Sequence, residues 1–119
     1  DKSWDLTFYK SPHQNNPPVK DFISKLNIMA RAKVASGLNL LAEYGLKVGP
    51  PHFKKLTGTQ FWELRILGKD SIRIIYVAVI DKKFLDTNAF IKKKQRTDKK
   101  QIQTAESRFN EYKARIKNL

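Results

Sequence analysis

The sequence contains no cysteine, which excludes a disulfide framework and any thiolate metal site. Histidine is almost as scarce. His13 and His52 sit in Pro-flanked polar stretches far from carboxylate clusters, so no metal or other cofactor is expected. No apolar run approaches the roughly 18–20 residues of a membrane span, and no leader pattern opens the chain. A soluble, cytoplasmic protein without a membrane partner follows as the expectation. The first residue is Asp1 and not Met, which leaves room for missing N-terminal residues. Negative charge is also thin: 11 Asp and Glu face 24 Lys and Arg, a formal charge of +13 over 119 residues. That imbalance favours a polyanionic partner such as nucleic acid. It is steepest from Lys82 to Leu119, where twelve basic side chains face four acidic ones.

The length suits one domain, residues 1–119, with a two-layer core. Ser3 to Tyr9 alternates polar and apolar residues and predicts a strand. Three prolines and two asparagines between Ser11 and Pro18 then predict a loop. Pro18 suits a helix first turn, and Phe22, Ile23 and Leu26 supply its apolar stripe. Asn27 is a candidate cap for a second helix, with Ile28, Ala32, Ala35, Leu38, Leu41 and Ala42 at helical spacing and Gly45 as its stop. A helical pair over roughly residues 18–45 results.

The second half reads as strands. Phe53 to Leu56 predicts a short one, and Phe61 to Ile66 and Ile72 to Ile80 flank a hairpin turn at Gly68-Lys69-Asp70. The run from Ile72 is nearly all apolar and predicts a central strand covered on both faces. Asp81-Lys82-Lys83 turns the chain into a further strand from Phe84 to about Lys92. A closing helix is expected from Lys99 to Ile116, capped by Thr97 or Asp98 and lined by Ile102, Ala105, Phe109, Tyr112 and Ile116.

Charged residues inside these apolar strands are the informative feature, because an unpaired buried charge costs several kcal/mol or more. A hairpin turning at Gly68 to Asp70 sets Arg65 opposite Arg73 and Ile66 opposite Ile72. Trp62, Leu64, Ile66, Ile72, Ile74 and Tyr76 then share a helix-packing face, and Glu63, Arg65 and Arg73 the other. Opposed arginines repel unless a carboxylate or phosphate lies between them. In the next strand, strict alternation groups Asn88, Phe90 and Lys92 on the charged face and Leu85, Ala89 and Ile91 on the apolar one. An aromatic ring beside cations suits single-stranded RNA, stacking on a base while charge holds the backbone. The same residues are equally readable as a solvated ion-pair trio, a core phenylalanine and an ordinary basic loop from Lys92 to Lys100.

Lys55-Leu56-Thr57-Gly58, Trp62-Glu63-Leu64-Arg65, Arg73-Ile74-Ile75-Tyr76 and the run from Ala89 to Thr97 occur in an ordered set. With Ile102, Ala105, Glu106 and Arg108 downstream, that set resembles the RelE/HigB superfamily of toxin–antitoxin toxins, in particular its phage-type HigB branch. The resemblance spans about residues 50–112, and the helical pair ending in Ala42-Glu43-Tyr44-Gly45 also fits. It implies a RelE-like α+β fold, a twisted and mainly antiparallel sheet packed against an N-terminal helical pair and a C-terminal helix. It further implies metal-independent cleavage of messenger RNA, usually on the ribosome. A neighbouring antitoxin, HigA-like and of helix-turn-helix type, is the implied protein partner.

Carried over by position, Arg65 and Arg73 resemble the family's phosphate-binding arginines, and Lys92 and Lys93 its late-strand basic residues. Lys54 and Lys55 resemble the basic pair ahead of the hairpin, and Asn88, Phe90 and Lys94 complete the expected RNA contacts. The branch commonly carries His where this chain has Asn88, and a neutral amide cannot shuttle a proton; His52 is a possible stand-in. Glu63 is then the candidate base, Lys92 or Lys93 the acid, and Arg65 with Arg73 the stabilisers of the phosphorane. The alternative is a basic RNA- or DNA-binding protein that uses this face for affinity alone.

Overall fold

The computed structural model describes residues 3–68 and 71–117, so Lys69 and Asp70 of the expected hairpin turn lie outside the described residues. Strand β1 (Asp5–Phe8) leads through the proline-rich loop to helices α1 (Pro18–Ser24) and α2 (Ile28–Tyr44). A short 3-10 turn (Gly45–Lys47) precedes β2 (Phe53–Lys55), β3 (Trp62–Ile66), β4 (Ile72–Val79), β5 (Lys83–Ile91) and α3 (Lys99–Lys117). The five strands form one sheet in the order β1-β5-β4-β3-β2. β1 runs parallel to β5 and the other pairings are antiparallel, giving a mixed α+β architecture.

Local chemistry explains the elements. The Asn27 side chain accepts the Ala30 N–H at 2.9 Å and starts α2. Gly45 ends it with φ 59 and packs beneath Trp4, where no side chain fits. Asp81 and Lys82 both have positive φ, the conformation of a tight primed hairpin turn that suits the strands' twist.

β4 lies mid-sheet, and its residues Ile72 to Val77 are all buried, as expected for a strand covered on both faces. On one face Leu64, Ile66, Ile72, Ile74 and Tyr76 meet Val34, Leu38 and Leu41 of α2. On the other, Phe61, Ile75, Val77 and Leu85 meet Ala105 and Phe109 of α3. The α2 stripe differs from the expected one: Ile28, Ala32 and Ala35 are exposed, while Val34, Gly37, Leu38 and Leu41 are buried. Gly37 sets this face, since a Cβ there would stand 3.0 Å from the Leu64 side chain. A helix that close to the sheet must turn its residue without a side chain inward.

Strict alternation along β5 also fails. Ile75 pairs with Asn88 but Tyr76 with Asp86, so Thr87 is an extra residue in a β-bulge. Leu85 therefore packs on the α3 side and Ala89 on the helical-pair side, a correction to the expectation that they share a face. The Thr87 hydroxyl donates to the Asn88 side-chain oxygen at 2.7 Å and lies 3.1 Å from the Ile75 carbonyl, and the Arg108 Nη1 donates to the Thr87 carbonyl at 2.7 Å.

Candidate nucleic-acid interface

The β3–β4 register sets Arg65 directly opposite Arg73, and the β4–β5 register sets Phe90 beside Arg73. The adjoining row runs Lys54, Glu63, Ile75, Asn88 across four strands. α3 covers the Ile75–Asn88 end of this face, and the arginines stand at its other end, with Lys92 one step beyond Phe90. The Lys92 backbone N–H donates to the Ser71 carbonyl at 2.7 Å, which extends the ladder past β5 and fixes where that side chain starts.

Glu63 and Arg73 are withdrawn from water, at 1% and 5% exposure, and Arg65 is half-buried. Arg73 Nε lies 3.5 Å from Glu63 Oε1, and its Nη1 donates to the Ile72 carbonyl at 3.0 Å. The second carboxylate oxygen, Oε2, accepts the Thr97 hydroxyl at 2.5 Å. The Nε atoms of Arg65 and Arg73 are both buried without a hydrogen-bond partner. Among the described residues, Glu63 is the carboxylate that pairs with Arg73 in this cationic group, and Asp98 lines the neighbouring basic segment.

Burial is the largest influence on Arg73, pushing its guanidinium below the ordinary range; Glu63 opposes that and Arg65 reinforces it. Burial likewise pushes the Lys92 ammonium down, with Glu63 opposing and the cations of Arg73, Arg65 and Lys54 adding to the shift. An anion entering here would meet an excess of positive charge held partly out of solvent, where electrostatic attraction is stronger than in water.

The segment joining β5 to α3 lines a cavity of 270 Å³ with Phe90, Lys92, Lys93, Lys94, Arg96 and Gln101. Lys93 and Lys94 are exposed on it, and Phe90 is half-buried. The structure therefore brings Lys54, Glu63, Arg65, Arg73, Phe90 and Lys92 together, with Lys93 and Lys94 at the margin. Lys55 does not join them. It pairs with Trp62, on the opposite face from Lys54, and its ammonium donates to the Thr59 carbonyl. Asn88 is buried and committed inward: its Nδ2 donates to the Gln101 side-chain oxygen at 2.8 Å, tying β5 to α3. His52 is exposed; its carbonyl accepts the Arg65 N–H at 2.7 Å, and it borders the α2 side of β3 with Arg65.

Two residues escaped the sequence reading. Thr97 is expected as an alternative to Asp98 for the cap and as the end of the Ala89–Thr97 run, with no site role; Asp98 makes the cap contact, accepting the Lys100 N–H at 3.0 Å. Asp86 is fully buried on the helical-pair side with neither oxygen bonded. Its position in an apolar strand was the available signal, as it was for Arg73. Among the described residues, no three His, Asp or Glu side chains gather as metal ligands, and no helix is long and apolar enough to cross a membrane.

The family model described as phage derived protein Gp49-like (DUF891) matches residues 21–110, which includes the end of α1, all of α2, every strand after it and most of α3. No curated protein matches the chain significantly.

Proposed function

Since the chain belongs to the Gp49-like family, a RelE/HigB-type family of toxin–antitoxin toxins, we propose that it is a metal-independent endoribonuclease of the phage-type HigB branch. Its substrate in this reading is messenger RNA held on the ribosome, and its cleavage stops translation and growth. The fold is read as RelE-like, a single domain working in the cytoplasm. The family implies an antitoxin partner, here read as HigA-like with a helix-turn-helix.

The observation that carries this reading is the Arg65–Arg73 pair, opposed in register on the face that also holds Lys54 and Lys92. Opposed cations repel, and a phosphate between them turns repulsion into two charge-assisted attractions. Lys54 and Lys92 extend the same field along an RNA backbone, and Phe90 offers its ring to a base.

In the reaction the RNA 2′-oxygen attacks the adjacent phosphorus, the bond to the 5′-oxygen breaks, and that oxygen takes up a proton. Arg65 and Arg73 stabilise the phosphorane's added charge, commonly the largest catalytic contribution. Lys92 suits the proton donor, because its lowered ammonium pKa eases release. Glu63 does not suit the base role that its sequence position suggested. At 1% exposure, with one oxygen facing Arg73 and the other bonded to Thr97, it is placed to orient the arginine. The 2′-hydroxyl proton then passes to solvent, and the rate rests on charge stabilisation and on the ribosome positioning the message.

Induced expression in bacteria tests the proposal. Growth arrest with new messenger 5′ ends, lost in Arg65→Ala and Arg73→Ala, is the expected result. Normal growth with intact messages, despite soluble wild-type protein, would replace the nuclease with the non-catalytic binder.

A further inference from the structure

Thr97 lies between β5 and α3, and the Asp98 side chain supplies the cap contact at the start of that helix. The Thr97 hydroxyl instead spans 34 residues of sequence to reach Oε2 of Glu63 at 2.5 Å. Glu63 presents its other oxygen to Arg73 Nε at 3.5 Å, an ion pair too long to fix the guanidinium by itself. The Arg73 Nη1 contact to the Ile72 carbonyl leaves Nη2 as the nitrogen outside these interactions.

A glutamate carboxyl rotates over a broad, two-fold torsional surface unless its oxygens are held. With Oε2 bonded to Thr97, rotation is blocked and Oε1 stays aimed at Arg73. The arginine fork is then held on two sides, with Nη2 left over for a phosphate. The segment that carries Thr97 also carries Lys92, Lys93, Lys94 and Arg96, so this hydrogen bond joins the basic segment to the buried ion pair.

We infer that Thr97 is a positioning residue, which orients Arg73 toward the phosphate through Glu63. The inference rests on the ribonuclease reading for its effect on rate, but its geometric content is independent of cleavage. Thr97→Val keeps the shape and removes the donor, Thr97→Ala removes both, and Thr97→Ser keeps the donor.

Two measurements test it on the full chain. One is single-turnover cleavage of a ribosome-bound message; the other is the Nε–H nuclear magnetic resonance signal of Arg73 in free protein. Thr97→Val should slow cleavage by about tenfold or more, the scale of one hydrogen bond to a charged group. RNA affinity should fall less than the rate does, by no more than one phosphate contact, since Lys54, Arg65 and Lys92 keep theirs. Thr97→Ser should restore the rate, and the Arg73 signal should shift in the valine and alanine variants but not in the serine one. Unchanged cleavage in Thr97→Val, or a serine variant as slow as valine, overturns the inference. So does a requirement of the hydroxyl for folding, seen as unfolded valine and alanine variants beside a folded serine one. If wild type cleaves nothing, the ribonuclease reading fails, and the Arg73 signal alone decides: a shift confined to valine and alanine upholds the positioning role, and any other pattern overturns it.

Discussion

Tyr76 and Asp86 face each other across the β4–β5 ladder, and neither polar end has a hydrogen-bond partner. Asp86 is fully buried, and burial pushes its carboxyl up to about 8 from 3.8; the Tyr76 hydroxyl is pushed up as well, by burial and then by Asp86. The folded chain therefore keeps a proton that the unfolded chain releases. Stability should fall as pH rises from about 4 to about 8 and level off above that, losing on the order of a few kcal/mol. Asp86→Asn should abolish this slope. Urea unfolding of both proteins across that range checks it, and parallel curves would sink the idea.

Removing Arg73 should unbalance its partner. With Glu63 buried beneath it, Arg73→Met removes the ion-pair partner of a buried carboxylate and should cost about 3 kcal/mol or more. Adding Glu63→Gln should return more than about 1 kcal/mol, because the two side chains share one interaction. Chemical denaturation of the two single variants and the double variant gives this coupling. Additive losses would show that the pair is not coupled.

Gly45 and Gly49 make a matched contrast. Gly45 has φ 59, and a Cβ there would overlap the Trp4 indole, whereas a Cβ on Gly49 meets nothing within 4 Å. Gly45→Ala should destabilise by about 2 kcal/mol or more, combining overpacking with a disfavoured backbone angle. Gly49→Ala should change stability by less than about 0.5 kcal/mol. Thermal melts of the pair decide it.

The basic residues should separate by face. Lys93→Ala and Lys94→Ala should each reduce the salt dependence of RNA binding by about one phosphate contact. Lys55→Ala should leave it unchanged, since that ammonium lies on the other face and is engaged by the Thr59 carbonyl. Fluorescence anisotropy on a short single-stranded RNA over a salt series reads all three. Equal slopes for all three variants would mean that the face assignment does not govern binding.

Much of the architecture was legible in the sequence because local rules govern it. Alternation, turn residues and the Asn27 cap sufficed for the helical pair, the strands and the Arg65–Arg73 register. Alternation failed at Thr87, where a bulge answers to packing on both faces of β5 and no local pattern announces it. The α2 stripe departs from its expected face because Gly37, whose missing side chain lets the helix approach Leu64, carries no apolar signal in the sequence. In the site, Arg65, Arg73 and Lys92 stood out as charges in apolar strands. Thr97 did not, because its partner is distant in sequence and a threonine before a helix already has an ordinary explanation.

The strand order bears on how the protein is made. Among the described residues β1 pairs only with β5, Asp5 opposite Lys83 and Phe8 opposite Asp86, in parallel. During synthesis the opening strand must wait for residue 86 before it has an edge to join, a long closure that slows folding. The Glu63–Thr97 bond waits longer still, and α3 closes last. A chain that stops short of Thr97 should therefore lack both the bond that orients Glu63 and the helix that covers its face of the sheet.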